Sequence, residues 1–495
     1  MKICIFYVFL QIVLKYSGMK RFFLTIVLTI SALCVFSQGF TKQRGTQPYT
    51  VSFAQPQPGV YQLTFEILNV STGEVTKNGL TYTKILFASS TTTDREGWAE
   101  LPFVSGSIQL PADKDVEISD VALESESSFT VNYPLLPSRG VIYRHHDPSA
   151  IPYRIAPESQ QDALYPSEFV TMESPYIVRD VRGTTVHFYP FQYNAATNTV
   201  TFHRKVTVTL RENNHAATNP LTHVNPTPVR EAIGLYQSMF LNYEPSRQAL
   251  AQGEKGDIFV FTTAAYEDAA DAYVQWKKEM GYNVTKEVVS NNATLATSIQ
   301  SAYNDNNNLM YVQLFGDWDN IKTTTITADY STAPADPKTG CVAGNDNRPD
   351  IAIGRFSCSS NAQALVQVNK AINYEKNPNM DAGWRETFIG IGSSEGSGNG
   401  DDGEIDYVHV QRIYSERLDP FTYDTENGCY GDHSTASTLA NYVNAGASPI
   451  AYCGHGAETY FVTTNYNNNN VNASTNGDRL PFVVAVACVN GKFNQ

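Results

Sequence analysis

The sequence predicts an α/β region with a mostly parallel sheet and flanking helices, preceded by a β-rich region. Three observations predict it. Apolar and polar residues alternate at period two through residues 40–225, the mark of half-buried strands. From Asp257 onward, short apolar runs alternate with helix-length amphipathic ones, the pattern of a parallel sheet covered on both faces. Between them, residues 211–256 form a seam punctuated by Asn213, Asn214, Asn219, Pro220, Pro226 and Pro228. The 495 residues suffice for about three domains. A net charge of −14 argues against a partner that presents phosphates, so no nucleic acid is expected. Only 17% of residues are charged and 12% are aromatic, which excludes a disordered chain.

The first forty residues hold two apolar runs, 3–14 and 22–36, with Met19-Lys20-Arg21 between them. Met19, two basic residues and an apolar run make a complete secretory signal. Residues 1–38 are therefore expected to be a signal region, with translation starting at Met19 and cleavage near Ser37 to Gly39. The product is then secreted or held at the cell surface. An uncleaved anchor is the alternative, disfavoured by the polar residues Ser37, Gln38, Thr41 and Lys42 that follow at once. No later stretch is apolar enough for a membrane span. Removing Cys4 and Cys34 leaves Cys341, Cys358, Cys429, Cys453 and Cys488, an odd count that points to a free reactive thiol.

In the β-rich region, Tyr61, Leu63, Phe65 and Ile67 alternate within Val60–Ile67, and Val200, Phe202, Val206, Val208 and Leu210 alternate later. Residues 258–261 read as a short buried strand. Tyr266, Ala269, Ala270, Tyr273, Trp276 and Met280 then share one helical face, closed by Gly281. Leu309–Phe315 is a second strand, and Leu365, Val368 and Ile372 mark another helix. Residues 388–391, 450–453 and 482–487 are further short apolar strands. Parallel sheets bind ligands beyond the carboxyl ends of their strands, so the polar residues that follow these runs are the ones that matter.

After 450–453 comes Gly454-His455-Gly456-Ala457-Glu458, where flanking glycines let the backbone turn and expose the imidazole. After 482–487 comes Cys488-Val489-Asn490-Gly491. Taken singly, His455 reads as a structural histidine and Cys488 as a small core residue. Together they lie 33 residues apart at two strand ends, which suits neighbouring strands joined by one connection. An imidazole beside a thiol can draw off its proton to make the thiolate nucleophile. The N–H groups of Gly456 and Cys488 can hold the developing oxyanion. A third strand end carries Ser393-Ser394-Glu395-Gly396, where Glu395 either orients His455 or is a solvated loop acid. A further cluster comprises Asp317 and the run Gly344-Asn345-Asp346-Asn347-Arg348-Pro349-Asp350. Carboxylates on turns suit a hard cation such as calcium, or serve ordinary turn chemistry.

The segments Gly454-His455-Gly456-Ala457-Glu458-Thr459 and Val486-Ala487-Cys488-Val489-Asn490-Gly491 closely resemble the two catalytic motifs of the gingipains, the C25 family of cysteine peptidases. The likeness runs from about Asp257 to the end and is closer to the arginine-specific branch. It implies a caspase-like catalytic domain over 247–495 and an inhibitory prodomain over 40–246. It implies a catalytic dyad of Cys488 and His455 supported by Glu395. Asp406 resembles the acid of the substrate pocket that pairs with arginine. The residues themselves leave it equally a helix N-terminal acid. The loop leading into Gly354-Arg355-Phe356-Ser357 resembles a family calcium loop, implying side-chain ligands Asp317, Asp346 and Asp350 and carbonyl ligands Ala343 and Arg348.

The expected function is a secreted zymogen of a cysteine endopeptidase cleaving after basic residues, with Arg preferred. Its partners are peptides with a basic residue before the scissile bond, and its own prodomain. Arg247, in the polar stretch Glu244-Pro245-Ser246-Arg247-Gln248, is the expected processing site, or else a solvated linker charge. The alternatives are a sortase-like C25 relative that processes exported proteins at the cell surface, and a non-catalytic adhesion or binding protein on the same fold. The chain stops seven residues after Cys488. It is therefore expected to be a fragment without later strands, an immunoglobulin-like domain or a sorting domain, inactive or unfolded in its last third.

Overall fold

The computed structural model describes residues 48–87, 91–142, 150–223, 229–245, 255–328, 331–380, 382–395, 404–431 and 434–494. The expected signal region at 1–38, with Met19 in it, and the expected processing residue Arg247 lie outside these residues.

The N-terminal region contains β1 (Tyr49–Gln57), β2 (Val60–Ile67), β3 (Pro102–Gln109), β4 (Val116–Thr130), β5 (Tyr176–Val178), β6 (Val181–Phe188), β7 (Phe191–Asn194) and β8 (Thr199–Glu212). One antiparallel sheet places β8 between β4, which pairs along its whole length, and the strands β2 and β7, which share its other edge, with β1 outside β2. The other places β6 between β5 and β3. The period-two pattern settles which face is inward: Tyr61, Leu63, Phe65 and Ile67 of β2 are all buried. They meet Val104 and Ile108 of β3 and Val186 and Phe188 of β6 in one core, so the two sheets lie face to face. The Phe65 and Phe188 rings meet across it with centroids 5.6 Å apart. Each such fully buried side chain contributes about 1.5–3 kcal/mol.

The seam is less irregular than its prolines and asparagines imply. It holds a helix, α1 (Arg230–Met239). Val229, Ala232, Ile233, Tyr236 and Phe240 recur at steps of three, one, three and four residues and are buried. Val229, Ala232, Tyr236 and Phe240 pack on Tyr176, Val178 and Val181 of the β5–β6 hairpin.

Beyond the seam the connections become crossovers. Strands β9 (Asp257–Thr263), β10 (Val284–Val289), β11 (Leu309–Phe315) and β12 (Ala352–Phe356) pair in the order β10-β9-β11-β12, every pair parallel. Helices α2 (Glu267–Glu279) and α4 (Asn361–Lys376) cover one face through Ala269, Ala270, Tyr273, Ala364 and Val368. Helix α3 (Ala296–Asp305) covers the other, where Ile177 and Leu221 of the N-terminal region join the same core. Gly281, at φ +87°, ends α2 as expected.

A second parallel sheet follows, made of β13 (Thr387–Gly392), β14 (Thr425–Tyr430), β15 (Pro449–Cys453) and β16 (Phe482–Val486) in the order β14-β13-β15-β16. The α/β region is thus two four-stranded parallel sheets where the sequence reading has one. Helix α5 (Asp406–Ile413) packs Val410 on Phe388. Helix α6 (Ala436–Ala445) packs Leu439 on Ile389, Ile391 and Ile450 from the opposite face. The last third is therefore ordered sheet and helix, although all five residues of the edge strand β16 are exposed. Because β13, β15 and β16 are parallel neighbours, their carboxyl ends lie along one edge. That edge carries Glu395, His455 and Cys488.

Candidate active site

β15 delivers the chain to Gly454, whose N–H reaches Val486 O on β16 at 3.4 Å. The next residue, His455, is half-buried, and its carbonyl accepts hydrogen bonds from the Tyr452 hydroxyl and from Val462 N. These two bonds hold the turn and leave the imidazole outside. Its Nε2 lies 2.9 Å from Oε1 of Glu395, three residues past the end of β13. If Nε2–H donates to Glu395, Nδ1 is left as the acceptor for a proton from another group. Glu395 is therefore a partner of His455 and not a free loop acid.

Cys488 follows β16 after Ala487 and is the exposed one of the five described cysteines. Burial pushes the Cys341 thiol up, and the Cys358 and Cys429 thiols up to about 11. A thiol must ionise to act as a nucleophile, so these three are poor candidates. Val489 adopts φ +57°, a costly left-handed turn for a β-branched residue, which throws the chain sharply away after Cys488. Asn490 Nδ2 donates to Ala457 O at 2.7 Å and ties that turn to the His455 loop. The two loops touch at Gly456. A Cβ there would sit 1.8 Å from Cys488 O and 3.0 Å from Cys488 N, so only glycine fits. This brings Gly456 against the main chain of Cys488. Among the described residues no hydrogen bond joins the Cys488 thiol to His455.

Gly456→Ala is expected to force these loops apart. Overpacking of this kind costs about 1–3 kcal/mol, to be read from denaturant unfolding. A Gly456→Ala protein as stable as the parent would mean that the loops are not in contact.

Asp406 is the first residue of α5 and is 8% exposed. Its carboxylate accepts from Ser393 Oγ at 2.5 Å and lies 3.4 Å from Cys453 Sγ. Its N–H donates to Glu395 O at 2.9 Å. Asp406 therefore stands directly behind the strand ends that carry Glu395 and His455, and it is also a helix N-terminal acid. A Cβ at Gly392 would lie 2.4 Å from Tyr407 Cα, so this glycine lets α5 approach so closely. Ser393 and Cys453 are the residues that sequence reasoning misses. Both directly follow or end an apolar strand, the one signal that marks them.

The expected calcium residues divide. Ala343, Asp346, Arg348 and Asp350 share one loop. Asp317 instead accepts from Trp318 N at 2.9 Å and Ser357 Oγ at 3.2 Å. Asp350 accepts from Arg179 N, Val342 N and Ala343 N at 2.7–2.9 Å. Burial nevertheless pushes its carboxyl up to about 6. Asp346 accepts from Ile177 N, Asn219 Nδ2 and Arg348 N at 2.8–3.0 Å. These oxygens face N–H donors, and among the described residues no three His, Cys, Asp or Glu side chains converge as a metal-binding group. This donor set does not fit a calcium ion while the N-terminal region is docked.

Residues 41–249 match the C25 propeptide and residues 251–495 match peptidase family C25. Gingipain R1 of Porphyromonas gingivalis is 30% identical over 480 residues, 95% of this chain and 47% of that protein. Gingipain R2 of Porphyromonas gingivalis (strain ATCC BAA-308 / W83) is 30% identical over 462 residues, 91% of this chain and 61% of that protein. The chain thus spans 47% and 61% of the length of these two curated relatives. Among solved structures, the complex of Porphyromonas gingivalis RgpB pro- and mature domains is 32% identical, covers 48% of this chain and 57% of its own, and has a TM-score of 0.45. The crystal structure of the Arg specific cysteine proteinase gingipain R is 30% identical, covers 51% and 58% respectively, and has the same TM-score of 0.45. With a propeptide match running directly into a peptidase match, the chain belongs to peptidase family C25.

Proposed function

We propose that the chain is the secreted zymogen of a cysteine endopeptidase that cleaves after basic residues, with Arg preferred. The observation that carries this reading is the His455–Glu395 pair, 2.9 Å apart, at the ends of neighbouring strands, with Cys488 at the end of the next. His455 takes the proton of the Cys488 thiol, and the thiolate attacks the scissile carbonyl carbon. The N–H groups of Gly456 and Cys488 receive the negative charge that develops on the carbonyl oxygen. As the tetrahedral species collapses, the C–N bond breaks and His455 protonates the leaving amine. A thioester on Cys488 remains. Water, deprotonated by His455, then releases the acid product and the thiol. Glu395 holds the imidazole and balances its charge while it carries the extra proton. That no hydrogen bond joins the Cys488 thiol to His455 among the described residues accords with catalytic hydrogen bonds that form only around bound substrate.

Export rests on the apolar run after Met19-Lys20-Arg21. Among the described residues no helix is long and apolar enough to cross a membrane. Maturation is expected by cleavage near Arg247, so that one specificity serves both substrates and activation. N-terminal sequencing of the matured protein checks this, and a mature start far from Gln248 counts against it. The activity itself is tested with an Arg-containing fluorogenic peptide, on a version extended to the length of the curated relatives. Turnover lost to a thiol alkylator is the expected result. Absence of turnover on Arg and Lys peptides alike would reject the endopeptidase.

A further inference from the structure

The loop that resembles a calcium site is already filled, and by this chain. Among the described residues β5 is an edge strand whose one strand partner is β6. The outward N–H groups of such an edge lack strand partners. One of them belongs to Ile177, and the N–H of Arg179, in the turn that directly follows β5, lies beside it. Ile177 N donates to Asp346 Oδ2 at 2.8 Å, and Arg179 N donates to Asp350 Oδ1 at 2.9 Å. We propose that the Asp346–Asp350 loop is the socket that seats the N-terminal region by reading the main chain of β5 and of the turn that follows it. The seated region then excludes calcium from the loop.

The surrounding contacts build a socket and not a chance meeting. Arg179 holds φ +53° at the turn between β5 and β6, and its side chain is buried. Its guanidinium donates to Leu309 O at 2.5 Å and Asn307 O at 3.1 Å, at the start of β11, and lies 3.2 Å from Asp180. A second clasp is Asn219, which donates to Asp346 Oδ2 at 3.0 Å and accepts from Asn345 N at 2.8 Å. Gly344 makes room for it: a Cβ there would stand 2.3 Å from Asn219 Oδ1. Arg348 lies 3.7 Å over the Tyr176 ring and 3.4 Å from Glu173. Four loop residues therefore hold the N-terminal region. A carboxylate oxygen already accepting strong N–H donors has little left for a cation. Metal ligation by this loop thus requires β5 to leave.

The proposal uses the zymogen reading only in calling the N-terminal region a propeptide, and its test involves no turnover. Amide hydrogen exchange is measured on the intact chain with excess calcium chloride and with chelator. The Ile177 and Arg179 amides are expected to exchange slowly and equally in both, with the melting temperature unchanged. In Asp346→Ala, the Ile177 amide is expected to exchange about tenfold faster or more, as the loss of a charge-assisted hydrogen bond implies. Asp346 sits half-buried on a loop, so this variant should fold; Asp350→Ala is the harsher companion. Two results would overturn the proposal: stoichiometric calcium binding to the intact chain that disappears in Asp346→Ala, or Ile177 exchange that the substitution leaves unchanged.

Discussion

Cys488→Ala is expected to abolish peptide turnover, by on the order of a millionfold, in a version extended to the length of the curated relatives. The loss is that large because the residues of a nucleophile–base unit act together: without the sulfur, His455 has no proton to take and no acyl group can be carried. Stability should hardly change, since the Cys488 side chain is exposed and makes no core contact. Cys341→Ala is the matching control. Its thiol is half-buried and pushed up by burial, away from the strand ends of the second sheet, and its loss should leave turnover intact. Rates are read with an Arg-containing fluorogenic peptide beside thermal melts of both variants. Turnover retained by Cys488→Ala would remove the proposed nucleophile.

The parts of the fold that are legible in the sequence are those whose burial writes itself into composition. Leu309–Phe315 and the run at 450–453 are central strands of parallel sheets, covered on both faces, and so read as unbroken apolar runs. β14 has the sequence TENGCY and β10 has VTKEVV; both are edge strands with exposed residues, and no apolar run marks them. The division into two sheets has no local signature, because strand composition records burial and not the identity of the partner. α1 is hidden for a different reason. Prolines and asparagines flank it closely, and its pattern of Val229, Ala232, Ile233, Tyr236 and Phe240 is only ten or so residues long.

At the candidate site, a proposed catalytic residue is legible in the sequence where a polar side chain closely follows an apolar strand. His455, Cys488 and Glu395 meet that condition, and the structure brings the first and third into a hydrogen bond. The supports of Asp406 are less visible. Ser393 and Cys453 act through geometry set by the close approach of α5 at Gly392. The second partner of the Asp346–Asp350 loop is invisible in principle. Its donors are main-chain N–H groups of residues near 177, about 170 positions earlier in the chain, and every residue type but proline carries one. A turn rich in carboxylates therefore reads as a cation site, whereas the fold spends it on backbone.

Asp406→Asn is expected to erase most of a preference for Arg over Lys. Asp406 is 8% exposed, so a guanidinium meeting its carboxylate is largely desolvated. Ser393 and Cys453 fix its orientation from the protein side. A planar two-pronged guanidinium gains more from a fixed carboxylate than a single ammonium does. Truncating one partner of such a buried charge pair costs about 2–5 kcal/mol, which is about a 30- to 5,000-fold loss in kcat/KM for Arg peptides. The loss for Lys peptides should be smaller, so the ratio between the two falls. The competing role of Asp406, as an acid at the N-terminus of α5, makes a different prediction: about 0.3–1 kcal/mol of stability lost on neutralisation, with specificity untouched. Measuring kcat/KM on matched Arg and Lys peptides beside a thermal melt separates the two. An unchanged Arg-to-Lys ratio with a lowered melting temperature would assign Asp406 to the helix alone. A fallen ratio at nearly constant stability would assign it to the substrate.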